Sequence, residues 1–154
     1  MKSLLSIIFL LISHVAFAID IASCSNPVGK AYFPEIGLVP KSKSGWDQDK
    51  VTNGMVKLIK TSEGKYDILF VDATKQITSS TDSGGLVSML NRGDNVVSFM
   101  VVYPKSTAEI YTFLRTTSGG LEYVQVTSRA GDAVMITKAS IMRGDCSYIN
   151  FDNL

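Results

Sequence analysis

The chain has 154 residues, 45% of them hydrophobic, with 15 Lys and Arg against 14 Asp and Glu and a formal net charge of +1. That length suits one domain with a sizeable core, and the balanced charge leaves no basic surplus to condense on phosphates, so nucleic-acid binding is not expected. The single histidine, His14, lies in an N-terminal segment that reads as an export signal. The rest therefore lacks the usual general base, the commonest metal ligand and the Ser-His and Cys-His nucleophile pairs.

Lys2 gives the N-terminus a positive start, Leu4 to Ile12 an apolar run, and Ala16-Phe17-Ala18 a small-x-small cleavage site. These are the three parts of a secretory signal, and the run is too short for a membrane span. Cleavage after Ala18 is expected, leaving 19–154 as one β-rich domain, periplasmic or secreted, with no transmembrane segment. Ile21-Ala22-Ser23-Cys24 resembles the box before a lipidated cysteine in bacterial lipoproteins, which makes an anchor at Cys24 the minor alternative. Asp20 is out of place in such a box, and lipidation would leave Cys146 unpaired.

Beyond the signal, short runs rich in Val, Ile, Tyr, Phe and Thr alternate with turn residues. Pro34 to Asn53 reads as a long loop with Trp46 in it, and a short helix capped by Asp47 is one reading of its second half. Gly54 to Thr61 and Tyr66 to Val71 form a predicted hairpin around Ser62-Glu63-Gly64-Lys65. Further strands are expected at Leu86 to Leu90, Val96 to Tyr103, Glu109 to Arg115, Leu121 to Thr127, Ala133 to Thr137 and Cys146 to Phe151. Arg92-Gly93-Asp94 and Arg143-Gly144-Asp145 are read as turns. The spacing predicts an all-β fold, a small antiparallel meander of about eight strands closed as a barrel, with a β-sandwich as the alternative.

Cys24 and Cys146 lie near the two ends of that domain, and two cysteines in an oxidising compartment have one intramolecular pairing. A disulfide joining the chain ends is expected, and with it neighbouring first and last strands. There is no Cys-x-x-Cys to suggest redox chemistry.

Several short motifs carry no chemistry here. Asp82-Ser83-Gly84-Gly85 resembles the nucleophile segment of trypsin-like serine proteases, which need a histidine base and two barrels. The two Arg-Gly-Asp tripeptides resemble the sequence read by integrin-type receptors, yet both fall at expected turns. Asp47-x-Asp49 before Asn53-Gly54 fails as an EF-hand at Val51, Thr52 and Leu58. Strand carboxylates Asp67, Asp72, Glu109 and Glu122 are the only groups left for hydrolysis, and exposed strand faces ordinarily carry such charges.

Trp46 is either a binding anchor or an apolar plug. Gly45-Trp46 is similar to the Gly-x-Trp segment that plugs one end of lipocalin barrels, without its spacing. Ser62-Glu63-Gly64-Lys65-Tyr66 resembles the Ser-x-Gly loop that periplasmic lysozyme inhibitors insert into their target. The reading is therefore a non-catalytic module that binds a protein partner, as an inhibitor or accessory factor, with contacts at Lys43, Trp46, Asp47, Asp49, Glu63, Lys65 and Tyr66. A carrier of a small apolar ligand and a carboxylate-only hydrolase are the alternatives. No cofactor and no metal site is expected.

Overall fold

The computed structural model describes residues 18–71 and 74–154. The expected export segment, apart from Ala18, and the candidate carboxylate Asp72 lie outside them. Ten strands carry the fold: β1 (Ile19–Phe33), β2 (Gly45–Lys50), β3 (Met55–Lys60), β4 (Tyr66–Val71), β5 (Ile77–Ser79), β6 (Leu86–Arg92), β7 (Val96–Tyr103), β8 (Thr107–Arg115), β9 (Leu121–Arg129) and β10 (Lys138–Ile149). Short 3-10 turns at Lys41–Lys43 and Phe151–Asn153 are the only helical elements among the described residues.

The strands form one antiparallel sheet in the order β5-β4-β3-β1-β10-β9-β8-β7-β6, with β2 also on β1. The first and last strands are neighbours, as the cysteines require. Cys24 and Cys146 face each other in the β1–β10 ladder with Cα atoms 3.8 Å apart, and the disulfide between them links strands rather than chain termini.

β1 serves two partners along its other edge. Ile19 to Ser25 pairs with β3, and Val28 to Phe33 pairs with β2. The division falls at Asn26-Pro27, where the register to β10 also breaks. Asn26 adopts a left-handed φ of 54°, which asparagine tolerates, and its N–H bonds the Gly54 carbonyl. Pro27 has no N–H for a ladder, and its carbonyl accepts from Val51 N–H at 3.0 Å.

The sheet curls until its two wings pack on each other. Tyr66 on β4 meets Phe99 on β7 with ring centroids 5.0 Å apart, and Tyr103 Oη donates to Ser80 Oγ at 3.1 Å. The core between the wings is apolar, built on Ile21, Leu58, Ile68, Phe99, Phe113 and Tyr123. After β10, Asn150 N–H bonds the Ile21 carbonyl and Leu154 packs into the same core. No ladder among the described residues joins β5 to β6, so the barrel is a half-barrel rather than a closed one.

Three sequence expectations need correction. The Pro34 to Asn53 stretch is interrupted by β2 at Gly45–Lys50, and Asp47 lies in that strand, where pairing to the second half of β1 overrides any helix cap. Ala133 to Thr137 is a connection, not a strand. Arg143-Gly144-Asp145 is not a turn but the middle of β10. Gly144 stands opposite Tyr123, and a Cβ there would lie 2.5 Å from the Tyr123 ring and 2.4 Å from the Ser25 carbonyl oxygen. Glycine is placed there for close approach rather than for a bend.

Two outcomes follow. Cross-linking residues 122 apart restricts the unfolded chain by about 4–5 kcal/mol on the chain-entropy model. Replacing both cysteines by alanine should lower unfolding stability by about 2–5 kcal/mol in urea titrations, and an unchanged midpoint would contradict a clamp role. Tyr123 is fully buried and its hydroxyl has no hydrogen-bond partner among the described residues. Tyr123→Phe should therefore be as stable as the parent or gain about 1 kcal/mol, whereas a clear loss would reveal a partner for that hydroxyl.

Candidate functional site

Side chains alternate between the two faces of a strand, so the ladder register fixes what the outer face presents. Ile141, Val126, Ile110 and Met100 stand side by side across β10, β9, β8 and β7. The next row toward the β2 end runs Trp46, Tyr32, Ala139, Ser128, Ala108, Val102, Leu86. These apolar residues are not capped by another layer: Trp46 is 68% exposed, Ile141 52% and Val126 45%. Trp46 leans on Tyr32 with ring centroids 5.5 Å apart and forms one wall of an open groove of about 700 Å³ with Val28, Val124 and Ile141. The plug reading of Trp46 is thus overturned, because the turn of β2 onto β1 points the indole away from the barrel.

The remaining candidates are scattered by the fold. Lys43 sits in the exposed 3-10 turn just before β2. Asp47 and Asp49 alternate with Trp46 and so take the inner face of β2, opposite Ala31 and Gly29. Asp49 is held by Lys138 at 2.7 Å, while Asp47 is exposed and accepts from the Gln48 N–H. Glu63 and Lys65 form an exposed ion pair at 2.8 Å in the β3–β4 turn. That pairing lowers the Glu63 pKa and raises that of Lys65. Tyr66 is half-buried against Phe99 and belongs to the core. The β3–β4 turn lies beside the Ile19 end of β1 and Trp46 beside the Phe33 end, roughly 40 Å of strand away over 15 residues. The structure does not bring the two candidate contact regions together.

Inside the half-barrel, the end toward β2 is polar. A cavity of about 420 Å³ is lined by Glu109, Tyr111, Gln125, Arg129 and Lys138, together with Tyr103 of β7 and, from the other wing, Phe70 of β4. Glu109 Oε2 accepts from the Tyr111 hydroxyl at 2.8 Å, and Oε1 from Gln125 Nε2 at 3.2 Å. Burial raises the Glu109 pKa, opposed by those two hydrogen bonds and by the charges of Lys138 and Arg129. Burial, followed by the Glu109 charge, also pushes Tyr111 well above the ordinary phenol value. Comparisons with protein families, with curated proteins and with solved structures return no match. The site is accordingly read from its own chemistry.

Of the strand carboxylates raised by the sequence, Glu109 faces this cavity. Asp67 is buried and accepts from Ser79 Oγ at 2.6 Å and from Thr81 N–H and Oγ1, which fastens the turn after β5 onto β4. Glu122 is on the outer face, 3.2 Å from Arg143. No group of three or more His, Cys, Asp or Glu placed to hold a metal occurs among the described residues. Asp49 joins Glu109 in lining the cavity, but it is neutralised by Lys138, and both Glu109 oxygens already accept hydrogen bonds. Such an arrangement holds a polar molecule better than it moves protons. Ser140, among Lys138, Met142 and Gly144, gave no sign in the sequence, and Gln125 and Thr127 escaped the reading although both interrupt the half of β9 that begins apolar with Leu121 and Tyr123. That break was the available sign.

The raised Glu109 pKa has a checkable sign. Above the ordinary value of 4.5, the folded chain keeps this proton when the unfolded chain has released it. The resulting stability is present at low pH and is lost as pH rises through the folded value. Urea unfolding should therefore show Glu109→Gln gaining on the parent as pH rises above 4.5, and a pH-independent difference would place Glu109 in water.

Proposed function

We propose that this chain is a non-catalytic binding module, exported to the periplasm or beyond, whose outer sheet face docks a partner protein as an inhibitor or accessory factor would. The observation that carries this reading is the exposed apolar row Ile141-Val126-Ile110, continued by the half-buried Met100, with Trp46 and Tyr32 at its edge. Isolated exposed apolar residues are ordinary, but contiguous ones rimmed by polar groups mark interaction sites. Aromatic anchors beside such a row are characteristic of interface centres.

The rim suggests the partner's chemistry. Lys30 on β1 and Lys50 on β2 flank the row on its own face, and neither forms an ion pair or hydrogen bond among the described residues. A protein surface with an apolar centre and acidic margins is the complement. The disulfide is compatible with an oxidising compartment, and no helix among the described residues is long and apolar enough to cross a membrane.

A photo-reactive amino acid at Trp46 should yield a discrete protein adduct in the cell envelope, and the same group at Lys65 should not. Ile110→Lys with Val126→Lys alters exposed positions and should leave stability within about 1 kcal/mol while abolishing the Trp46 adduct. An adduct that survives both substitutions, or one equally strong from Lys65, would refute docking on this face.

A further inference from the structure

The half-barrel changes character along its own strands. On β8 and β9 the inward positions toward one end are Phe113 and Tyr123, fully buried and stacked with centroids 6.1 Å apart. Toward the other end the same alternation places Glu109, Gln125 and Thr127 inward, with Ser140 beside them on β10. Gln125, Thr127 and Ser140 are all buried. Polar groups cost free energy in such positions, and apolar ones there would have extended the core. A local rule broken in one cluster, around a cavity, marks a site rather than a scaffold.

The charges in the cavity are of two kinds. Lys138 and Asp49 satisfy each other at 2.7 Å. Glu109 and Arg129 do not pair. Glu109 accepts two hydrogen bonds, and a carboxylate has room for about four. Arg129 lines the same cavity without any ion pair or hydrogen bond among the described residues. Glu109 stands opposite Thr127, and Arg129 is two positions further along the same face of β9. Such diagonal neighbours have Cβ atoms up to roughly 7–8 Å apart, which leaves space for a small molecule between their end groups.

We propose that the open end of the half-barrel binds a small zwitterion of the amino-acid class, its carboxylate on Arg129 and its ammonium on Glu109. The planar guanidinium matches a carboxylate through two parallel hydrogen bonds. The ammonium reaches the Glu109 oxygens on the side not taken by Tyr111 and Gln125. Phe70 and Tyr103 supply the apolar wall for the rest of the ligand. A purely apolar cargo would displace water from Glu109 and Arg129 with nothing in return, so it is a poor match. This site is separate from the outer face, and its success or failure is independent of partner docking.

The experiment uses the full disulfide-bonded chain, with thermal unfolding and calorimetric titration against the common amino acids taken singly. Propylamine and propionate serve as half-ligands and decanoate as an apolar control. At least one amino acid should raise the melting midpoint by several degrees and give a saturable heat, while the half-ligands and decanoate give neither. Glu109→Gln and Arg129→Gln should each weaken that binding by about tenfold to a hundredfold, as loss of a charge-assisted hydrogen bond does. Ser118→Ala, in the exposed β8–β9 turn at the far end of those strands, should bind like the parent. A folded parent protein that responds to none of the amino acids overturns the proposal. So does binding unchanged in both charge variants while their circular dichroism remains that of the parent, or decanoate binding in place of the amino acids.

Discussion

The antiparallel ladder between β1 and β10, fastened by Cys24–Cys146, is the contact on which the rest depends. One wing of the sheet, β2 to β5, hangs from β1, and the other, β6 to β9, hangs from β10. The core exists only where those wings face each other, as at Tyr66 and Phe99. Without the central ladder each wing is a curved sheet with an exposed apolar face, and neither buries enough to hold its shape. The disulfide acts at the place where the two halves are joined, with Cys24 itself buried.

The break at Asn26-Pro27 is the second constraint, and it gives the molecule its two unlike ends. It frees the outer half of β1 to pair with β2 instead of β3. β2 thereby carries Trp46 to the outer face and Asp49 to the inner one, so one short strand contributes to both candidate sites. Its charged residues also suit an edge, since Asp47, Asp49 and Lys50 discourage another strand from adding there.

The all-β class, the neighbouring end strands and six of the strands, each to within two residues at either end, could be read from turn chemistry and β-branched runs. Val96 to Tyr103 is the clearest case, where the predicted and observed strands coincide. β2 was illegible because Trp-Asp-Gln-Asp-Lys has little β-propensity and becomes a strand only through its partner on β1. Gly144 misled for a related reason: its cause is the Tyr123 ring on the neighbouring strand, far away in sequence. Glu109 was visible as a strand carboxylate, but its association with Gln125, Arg129 and Lys138 is a matter of register across strands. The outward aim of Trp46 was not legible either, because it depends on which strand β2 pairs with.

Pairing the first strand with the last also sets when the molecule becomes whole. As the chain emerges from its N-terminus, β1 meets β2 and β3 early, and the β6 to β9 meander can form by local pairing. The edge of β1 reserved for β10 stays vacant until nearly all residues are available. That high contact order predicts slow closure, with an exposed β1 edge open to intermolecular pairing in the interval. The 3-10 turn at Phe151–Asn153 and the buried Leu154 follow the closing strand directly and pack the same core. Removal of those few residues would therefore act on the slowest event in folding, out of proportion to the area they cover.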